Sequence, residues 1–509
     1  MMASQRKAGA LLGYANILTK NIVNLIYVPL LLHYISQGDY GVYQMANSTV
    51  FALTLLSAGF YGAYIRFYMR AKAQGTDLDV RRLNGMYLLI YIVISVVCVL
   101  AGALLVINVD LLFSGGLTAK ELVLARELFS IMIFNIAVQM MSIPFNSYIA
   151  ALERFVYQQT RQLFTTLSLP LLAVVLLNFG SGAVGVAISQ LVVNTVLLVM
   201  NINYAAIKLK MRFTFSGMQS GLLKSLIVFS FWIFLNQIFD LVNNQVPNFL
   251  LGAMASSTVV AVFAIAVNIR YIFFSLSGTM AGIFSPLINR IVATSDDNNE
   301  LTRLMTRVGR YQMMLFWYVF GGFIILGQFF IKLWAGDGFQ DAYWLVLIMV
   351  LPIMIPLTQN TGIEIQRAKN RHQTRSVIYI FTAVLDIVVS AVLIPYMGYW
   401  ATAIGYILSI MLGTGLFMNV YYQKRIGLDM LFFWKNQLGI ILVSFIPIIL
   451  GLVFTQFHPI SNLVMFIIVG LVYSMVFAVL LWLFALSRQD KAMVMKSLGR
   501  SSHSFKHAR

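Results

Sequence analysis

Residues 11–32 of the chain read LLGYANILTKNIVNLIYVPLLL. The run is long enough to cross the hydrocarbon core of a bilayer as an α-helix, which takes about 20 mainly apolar residues. Three polar residues interrupt it at a spacing of four: Asn16, Lys20 and Asn24. Because positions i, i+4 and i+8 lie along one face of a helix, the stretch predicts a membrane-spanning helix with a polar stripe.

The rest of the chain has the same character. Of its 509 residues, 60% are apolar and 10% are charged, and the mean hydropathy is +0.84. A soluble domain has about 25% charged residues, so the composition excludes a water-soluble globular protein and predicts an all-α polytopic membrane protein. Apolar stretches separated by polar loops predict fourteen helices, over residues 9–35, 41–65, 85–108, 127–150, 162–179, 182–206, 223–253, 258–287, 311–334, 342–363, 377–396, 399–420, 437–457 and 461–486.

The basic residues are concentrated on one side of this predicted topology. Of the 35 Lys and Arg residues, the segments on the side of the N-terminus hold all but five. The opposite side has only Lys120, Arg126 and Lys332. By the positive-inside rule both termini are cytoplasmic and the protein is a multi-pass component of the cytoplasmic (inner) membrane. The net charge of +18 is then explained without a nucleic-acid partner, and anionic membrane lipids are expected neighbours of the basic loops.

The chain carries an internal repeat. A shift of 220 residues lays the first predicted helix on the seventh and the second on the eighth, and later matches continue in the same order at shifts of 212 to 220. The pairs in the first helix are Asn16 with Asn236, Lys20 with Asp240, and Asn24 with Asn244. Two halves of six helices follow, with an N-terminal lobe over 1–209, a C-terminal lobe over 210–426, and an addition over 427–509 that holds helices 13 and 14 and a basic cytoplasmic tail.

The opening helix with Pro29, the following segment SQGDYGVY at 36–43, the Arg-bearing exit of helix 2 and the arrangement of six, six and two helices resemble a known superfamily. It is the multidrug/oligosaccharidyl-lipid/polysaccharide exporter superfamily, and within it the polysaccharide transporters that flip lipid-linked oligosaccharides. The resemblance covers nearly the whole chain. It implies two six-helix lobes around a central cavity that opens alternately to each side, and a substrate whose glycan is linked to a lipid pyrophosphate.

Four charged residues lie deep in predicted helices: Lys20, Asp240, Arg270 and Asp386. A charge at this depth costs about 2.5–3.5 kcal/mol on insertion scales, so each should face a cavity or a partner. Lys20 and Arg270 are the candidate ligands of the pyrophosphate, because a cation in a low-dielectric crevice binds phosphate more strongly than one in bulk water. The alternatives are a salt bridge between Lys20 and Asp240 that clamps the two lobes, or side chains that snorkel to a membrane interface.

Uncharged polar residues complete the candidate substrate site. Asn16 and Asn24 on the first helix and Asn244 on the seventh belong to polar stripes that would line a wet crevice between the lobes. Asn47, Gln190, Asn194 and Gln237 could contact glycan hydroxyls, or they could tie helices together. Arg66, at the inner end of helix 2, is a candidate at the inner vestibule or a cytoplasmic anchor.

Asp240 and Asp386 are also the candidates for coupling to H⁺ or Na⁺, since a carboxylate in a crevice can exchange a cation. Asp386 shares a helical face with Thr382 and Ser390, so a hydrogen-bonded packing site is the alternative.

These observations predict a monomeric flippase that moves a lipid-linked oligosaccharide from the inner to the outer leaflet by alternating access. A cation-coupled multidrug antiporter and a peptidoglycan-precursor flippase of the same superfamily are the alternatives. An enzyme is not expected, because the longest exterior loop, over 108–126, offers few groups for catalysis. Cys98 is the single cysteine and the histidines have no ligand spacing, so no metal and no cofactor are predicted.

Overall fold

The computed structural model describes residues 2–57, 59–217, 220–371, 373–487, 490–492 and 495. Side chains are described for these residues except 2–7, 10, 11, 14, 232, 233, 235, 236, 240 and 275–283. The α-helices are α1 (Met2–Tyr34), α2 (Gln37–Ala52), α3 (Phe60–Gln74), α4 (Asp77–Ile107), α5 (Val109–Phe113), α6 (Ala119–Ala151), α7 (Phe155–Asn178), α8 (Gly182–Asn203), α9 (Ser220–Asn244), α10 (Val246–Met254), α11 (Ser257–Thr294), α12 (Asn298–Ala335), α13 (Asp341–Thr358), α14 (Asn360–Ala368), α15 (Gln373–Met397), α16 (Tyr399–Ile410), α17 (Asn419–Tyr421), α18 (Met430–Phe457) and α19 (Leu463–Leu480).

The predicted all-α polytopic fold is confirmed. Within the described ranges, no residue lies in a strand, and thirteen helices are long and apolar enough to cross a membrane. Each of the fourteen predicted helices has a counterpart. The seventh corresponds to α9 and α10, where the described residues include a shorter apolar helix over Ser220–Phe231. The short connections after the fifth and the eleventh predicted helices contain Gly180 and Gly398, with φ angles of 77° and 55°.

Three predicted helices are interrupted: the second, the seventh and the tenth. The tenth is broken at Gln359, between α13 and α14. The second begins at Gln37, four residues earlier than expected, because the Ser36 side chain accepts a hydrogen bond from the backbone N–H of Asp39 and caps the helix. It is then broken into α2 and α3, separated by a 3₁₀ turn and by Gly59, whose φ of 83° a side chain would disfavour. The seventh is broken at Gln245, just before the first turn of α10, which contains Pro247.

One compact unit of the chain comprises Met1–Ile265, Trp334–Gly338 and Tyr379–Gly405. Within it, α6 packs against α4, α8 and α2, and α1 packs against α7. The start of α2 approaches α11 so closely that a side chain at Gly41 would collide with the backbone carbonyl of Ser257. The SQGDYGVY segment therefore serves close helix packing in this unit.

The other compact unit comprises Ala266–Leu333, Phe339–Ile378 and Tyr406–Arg509. In it, α18 packs against α19, and α13 packs against a π-helical segment over Met411–Met418. Tyr473 of α19 donates a hydrogen bond to the Tyr318 carbonyl of α12 at 2.8 Å. Helices 13 and 14 of the predicted topology are thus tied to α12.

Left-handed backbone conformations recur at the repeat distance. Glu153, Gly180 and Lys210 have positive φ angles in the first half of the chain. Their counterparts in the second half, 217, 218 and 217 residues later, are Asn370, Gly398 and Gly427. The backbone hydrogen bonds match as well. The amide of Arg154, just after Glu153, donates to the carbonyl of Ile149 five residues earlier, and the amide of Arg371, just after Asn370, donates in the same way to the carbonyl of Gln366.

A polar contact recurs in the same way. Asn201 donates to Ser142 of α6 at 2.7 Å, and Asn419, 218 residues later, accepts from Gln359, between α13 and α14, at 3.0 Å. A π-helical turn follows in each half, over Tyr204–Lys208 and Tyr422–Ile426. Shared turns at one spacing support the inferred duplication, while the lobe boundaries at 209 and 426 remain a prediction.

The C-terminal end of the last span is clamped to α12 by a partly buried ion pair. Arg310 donates to the Ala485 carbonyl at 2.7 Å and lies 3.7 Å from the Asp490 carboxylate. Tyr311 and Ser487 also donate to Asp490. Partial burial raises the pKa of the Asp490 carboxyl, but the hydrogen bonds from Ser487 and Tyr311 and the Arg310 charge outweigh it and hold the pKa below its usual value.

Replacement of Asp490 should destabilise the fold in a pH-dependent way. Because the folded-state pKa is lowered, the carboxylate stabilises fully above its unfolded pKa, about 3.9, and this contribution disappears as the pH falls through the folded value. We expect Asp490→Asn to lower the melting temperature in detergent near neutral pH, by a loss of roughly 1–3 kcal/mol, and to approach wild type in acid.

The matched control is Asp110→Asn, which removes an exposed pair with Arg126, 61% and 48% exposed respectively. Exposed pairs contribute about 0–1 kcal/mol, so this variant should melt close to wild type. Equal melting of Asp490→Asn and wild type at neutral pH would contradict the clamp.

Candidate functional site

The polar stripe predicted along α1 divides into two parts. Asn16 is buried at 3% exposure and donates to the backbone carbonyl and the side-chain oxygen of Gln159 on α7, at 2.9 and 2.6 Å. Lys20 and Asn24 are exposed on the same helix. Asn16 therefore fixes α1 to α7, and the exposed part of the stripe carries a cation and an amide.

The last residues of α12 and the loop that follows it contact α1 and the residue that begins α2. The Trp334 indole donates to the Leu25 carbonyl at 2.7 Å, and the Gln37 amide donates to the Gly338 carbonyl at 3.0 Å. The Leu25 carbonyl, which lies inside α1 just over one turn beyond Lys20, thus accepts a hydrogen bond from the indole of Trp334. No pattern in the sequence signals this contact, because it joins residues more than 300 positions apart.

Amides around α2 mostly tie helices together. Asn248 donates to Ser48 at 2.8 Å, and Gln190 donates to the Tyr43 hydroxyl at 2.7 Å. Asn47, the predicted candidate between these two contacts, is half-buried. Two neighbouring polar side chains on the same helix, those of Tyr43 and Ser48, have hydrogen-bond partners on other helices.

The counterpart of the α1 stripe is on α9. Asn244, its last residue, is half-buried, and Gln237 is exposed. The side chains of Asn236 and Asp240 lie outside the described residues, so the predicted Asp240 site is not described. Arg66, on α3, is exposed, and its guanidinium carbon lies 5.2 Å from the centre of the Phe229 ring of α9.

Arg270 has the largest completely buried side chain among the described residues, with 0% exposure. Its guanidinium lies over the Tyr406 ring of α16, with 4.3 Å from the carbon to the ring centre. A desolvated cation–π contact contributes about 2 kcal/mol. In this conformation Arg270 is held within its own unit against an aromatic side chain.

Asp386 is 2% exposed on α15 and accepts a hydrogen bond from Ser390 at 3.1 Å. A side chain at Gly405 would collide with the same carboxylate oxygen, so α16 lies directly against it. The face that Asp386 shares with Ser390 and Thr382 is thus buried and polar, and α16 lies against it.

The predicted site residues are divided between the two compact units. Seven described candidates lie in the unit that contains the N-terminus: Asn16, Lys20, Asn24, Asn47, Arg66, Asn244 and Asp386. Arg270 lies in the other. Gln159 and Tyr406, which contact the candidates Asn16 and Arg270, were not predicted as functional, and neither was Trp334, which contacts Leu25 of α1. Only Gln159 carried a signal, as part of the repeated triplet Gln-Thr-Arg at 159–161 and 373–375. Among the described residues, no group of three His, Cys, Asp or Glu side chains could hold a metal ion.

The family described as polysaccharide biosynthesis protein matches residues 7–292. The chain belongs to this family. No curated protein matches it.

Solved structures show the same fold. The chain is similar to one titled lipid II flippase MurJ, inward closed conformation, with a TM-score of 0.71, 13% identity, and coverage of 96% of this chain and 100% of that one. It is similar to an inward-facing multidrug resistance MATE family transporter of the MOP superfamily, with a TM-score of 0.60, 15% identity, and coverage of 80% and 94%. The MATE transporter VcmN of Vibrio cholerae in the bent form gives 0.52, 14% identity, and coverage of 84% and 98%. The predicted recognition of a polysaccharide family is confirmed by the family match, and the chain shares the fold of solved structures of the predicted exporter superfamily.

Replacement of Asn16 should loosen α1 without changing the charge of the exposed stripe. We expect Asn16→Ala and Gln159→Ala each to lower the free energy of unfolding by about 0.5–1.5 kcal/mol, the range of hydrogen bonds between membrane helices. The double variant should cost no more than the larger single change, because both remove one interaction. Additive losses in thermal melts of the three variants would contradict the assigned contact.

Proposed function

We propose that the protein is a flippase that moves a lipid-pyrophosphate-linked oligosaccharide, a polysaccharide precursor, from the inner to the outer leaflet by alternating access. The observation that carries the proposal is that this member of a family of polysaccharide biosynthesis proteins has two cations within candidate spans, Lys20 and Arg270. A neutral sugar gives no reason to retain charges at a cost of about 2.5–3.5 kcal/mol each, whereas a pyrophosphate does.

Lys20 is the first proposed ligand of the pyrophosphate. It is exposed on α1, so an anion can approach it without displacing a protein group from its own surface. Asn24 lies one turn further along, and Asn47 and Asn244 are half-buried in the same unit. We assign these amides to glycan hydroxyls, Asn16 to positioning α1, and Arg66 to the inner vestibule.

Arg270 is the second proposed ligand. Its guanidinium presents a planar fork that suits phosphate, but it lies against Tyr406 in this conformation. We propose that the conformational cycle exchanges this aromatic contact for the substrate anion. The exchange avoids an exposed charge in either state, since each state gives the guanidinium a partner.

The transport test uses proteoliposomes and a fluorescent lipid-pyrophosphoryl oligosaccharide, with transfer between leaflets measured by quenching from one side. Lys20→Ala should slow transfer by roughly tenfold or more, the cost of one phosphate contact of about 1.4 kcal/mol. The matched control is Lys120→Ala, which removes an exposed lysine at the start of α6 and should transfer normally.

Equal rates for Lys20→Ala and Lys120→Ala would reject the role of Lys20. Transfer of lipid II alone would identify a peptidoglycan-precursor flippase, and export of cationic drugs without lipid transfer would identify a multidrug antiporter.

Arg270 requires variants that separate transport from folding. We expect Arg270→Met to retain a folded protein, because an apolar chain of similar volume can fill a buried site, while transfer is lost. Arg270→Lys should keep part of the activity, since the charge remains but the bidentate geometry does not. If the Met variant melts as wild type and also transports as wild type, Arg270 only packs the helices.

Coupling to H⁺ or Na⁺ is proposed at Asp386 and Asp240. Asp386→Asn keeps the size and the bond to Ser390 but cannot exchange a cation. We expect transfer by wild type to respond to imposed H⁺ or Na⁺ gradients and transfer by Asp386→Asn to lose that response, with Ser390→Ala as the control for packing. An unchanged gradient response in Asp386→Asn would leave Asp386 as a packing residue and place coupling at Asp240.

A further inference from the structure

A cavity of about 640 Å³ lies in the unit that contains α18 and α19, between the last turns of α12, the first turn of α13 and the end of α18. Its volume falls in the range of small-molecule sites, about 300–1,000 Å³. The side chains that matter for its chemistry are Gln328, Lys332, Asp341, Trp344, Thr455 and Gln456.

The lining combines amides with an exposed aromatic face. Trp344 is 51% exposed, a large fraction for an indole that lines a cavity. Its position is fixed from behind by Tyr343, whose ring meets it edge-on at 5.0 Å and whose hydroxyl donates to the Ile324 carbonyl at 2.8 Å. The indole is therefore held by a buried neighbour with its outer face available.

The charges of the cavity argue against an anionic ligand. Lys332 and Asp341 contribute one charge of each sign, and the remaining polar groups are neutral amides and a hydroxyl. Amide and hydroxyl groups both donate and accept hydrogen bonds, which matches the hydroxyls of a sugar. The apolar C–H face of a sugar ring packs on an aromatic ring, so an exposed indole among amides fits a carbohydrate better than it fits a phosphate.

The cavity is at the opposite end of the bundle from the basic loops of the same unit. The span over Asp341–Ala368 has 28 residues, about 42 Å at 1.5 Å per residue, and crosses a whole bilayer. Asp341 lines the cavity at its start, while Lys369 and Arg371 follow its end and line a basic cleft with Lys424 and Arg425. If the basic end is cytoplasmic, the cavity opens at the outer face.

We propose that this cavity binds the oligosaccharide portion of the substrate on the outer face of the membrane, with Trp344 as the stacking platform and Gln328 and Gln456 as hydrogen-bonding partners. The inference rests on the proposed function, which sets the direction of transfer from the inner to the outer leaflet. It adds a second carbohydrate site whose residues differ from the cations of the spans. A site that binds the translocated glycan favours the outward step, since a ligand shifts an equilibrium toward the state that it binds.

The test measures binding of free oligosaccharide, without lipid or phosphate, by calorimetry on the purified protein. The probes are oligosaccharides released by mild acid from the surface polysaccharide of the producing cell. We expect Trp344→Leu to weaken binding roughly tenfold, the loss of about 1.4 kcal/mol expected for an aromatic contact. Gln456→Leu should weaken it as well. Trp400→Leu, a half-buried tryptophan that does not line the cavity, is the matched control and should bind as wild type.

Three results would overturn the site: no binding by wild type, equal binding by Trp344→Leu and Trp400→Leu, or competition by inorganic pyrophosphate, which would make it an anion site. Melting temperatures of the variants separate lost binding from lost folding. Leaflet transfer is measured in parallel. Normal transfer with no calorimetric binding rejects only this site, whereas binding that depends on Trp344 without any transfer by wild type rejects only the flippase function.

Discussion

The structure depends on the absence of water inside a bilayer. Each backbone N–H and C=O group within the spans has to find its partner in the same segment, which leaves helices as the open-chain solution. Polar side chains are subject to the same constraint. Asn16 bonds Gln159 and Asn248 bonds Ser48 on neighbouring helices, and Asp386 bonds Ser390 on its own helix. These polar groups thus have partners within the protein, and a functional role has to be argued against that background.

Backbone groups also need hydrogen-bond partners where a regular helix ends, and the turns between helices supply them. The left-handed residues at Glu153 and Asn370, and at Lys210 and Gly427, close helix ends by backbone bonds to carbonyls of the last turn. Three of these four are not glycine, so the conformation is held against a steric preference. The recurrence of such turns at one spacing is stronger support for duplication than residue identities between apolar helices, because a turn with positive φ is uncommon while a matching leucine is not.

The candidate site illustrates what a helical pattern can and cannot predict. The spacing of Asn16, Lys20 and Asn24 predicted a common face. A shift of four residues leaves successive side chains about 40° apart around a helix of 3.6 residues per turn, so the face drifts. Asn16 falls on the side toward α7, and Lys20 and Asn24 fall on the exposed side. The depth of Arg270 could be read from its apolar neighbours in the sequence, but its aromatic partner Tyr406 is 136 positions away and gave no local signal.

The sequence by itself determined the class of protein and the positions of most of its helices. These follow from composition, periodicity and the energy of transfer into lipid, which are local or additive properties. Only the tertiary structure decided that Asn16 is a helix contact, that Arg270 is fully buried, and that Trp344 borders a cavity with amides from α12 and α18. Such facts depend on which distant segments meet, and apolar helices offer many nearly equivalent faces, so the choice among them is made by packing of the whole chain and leaves no local trace.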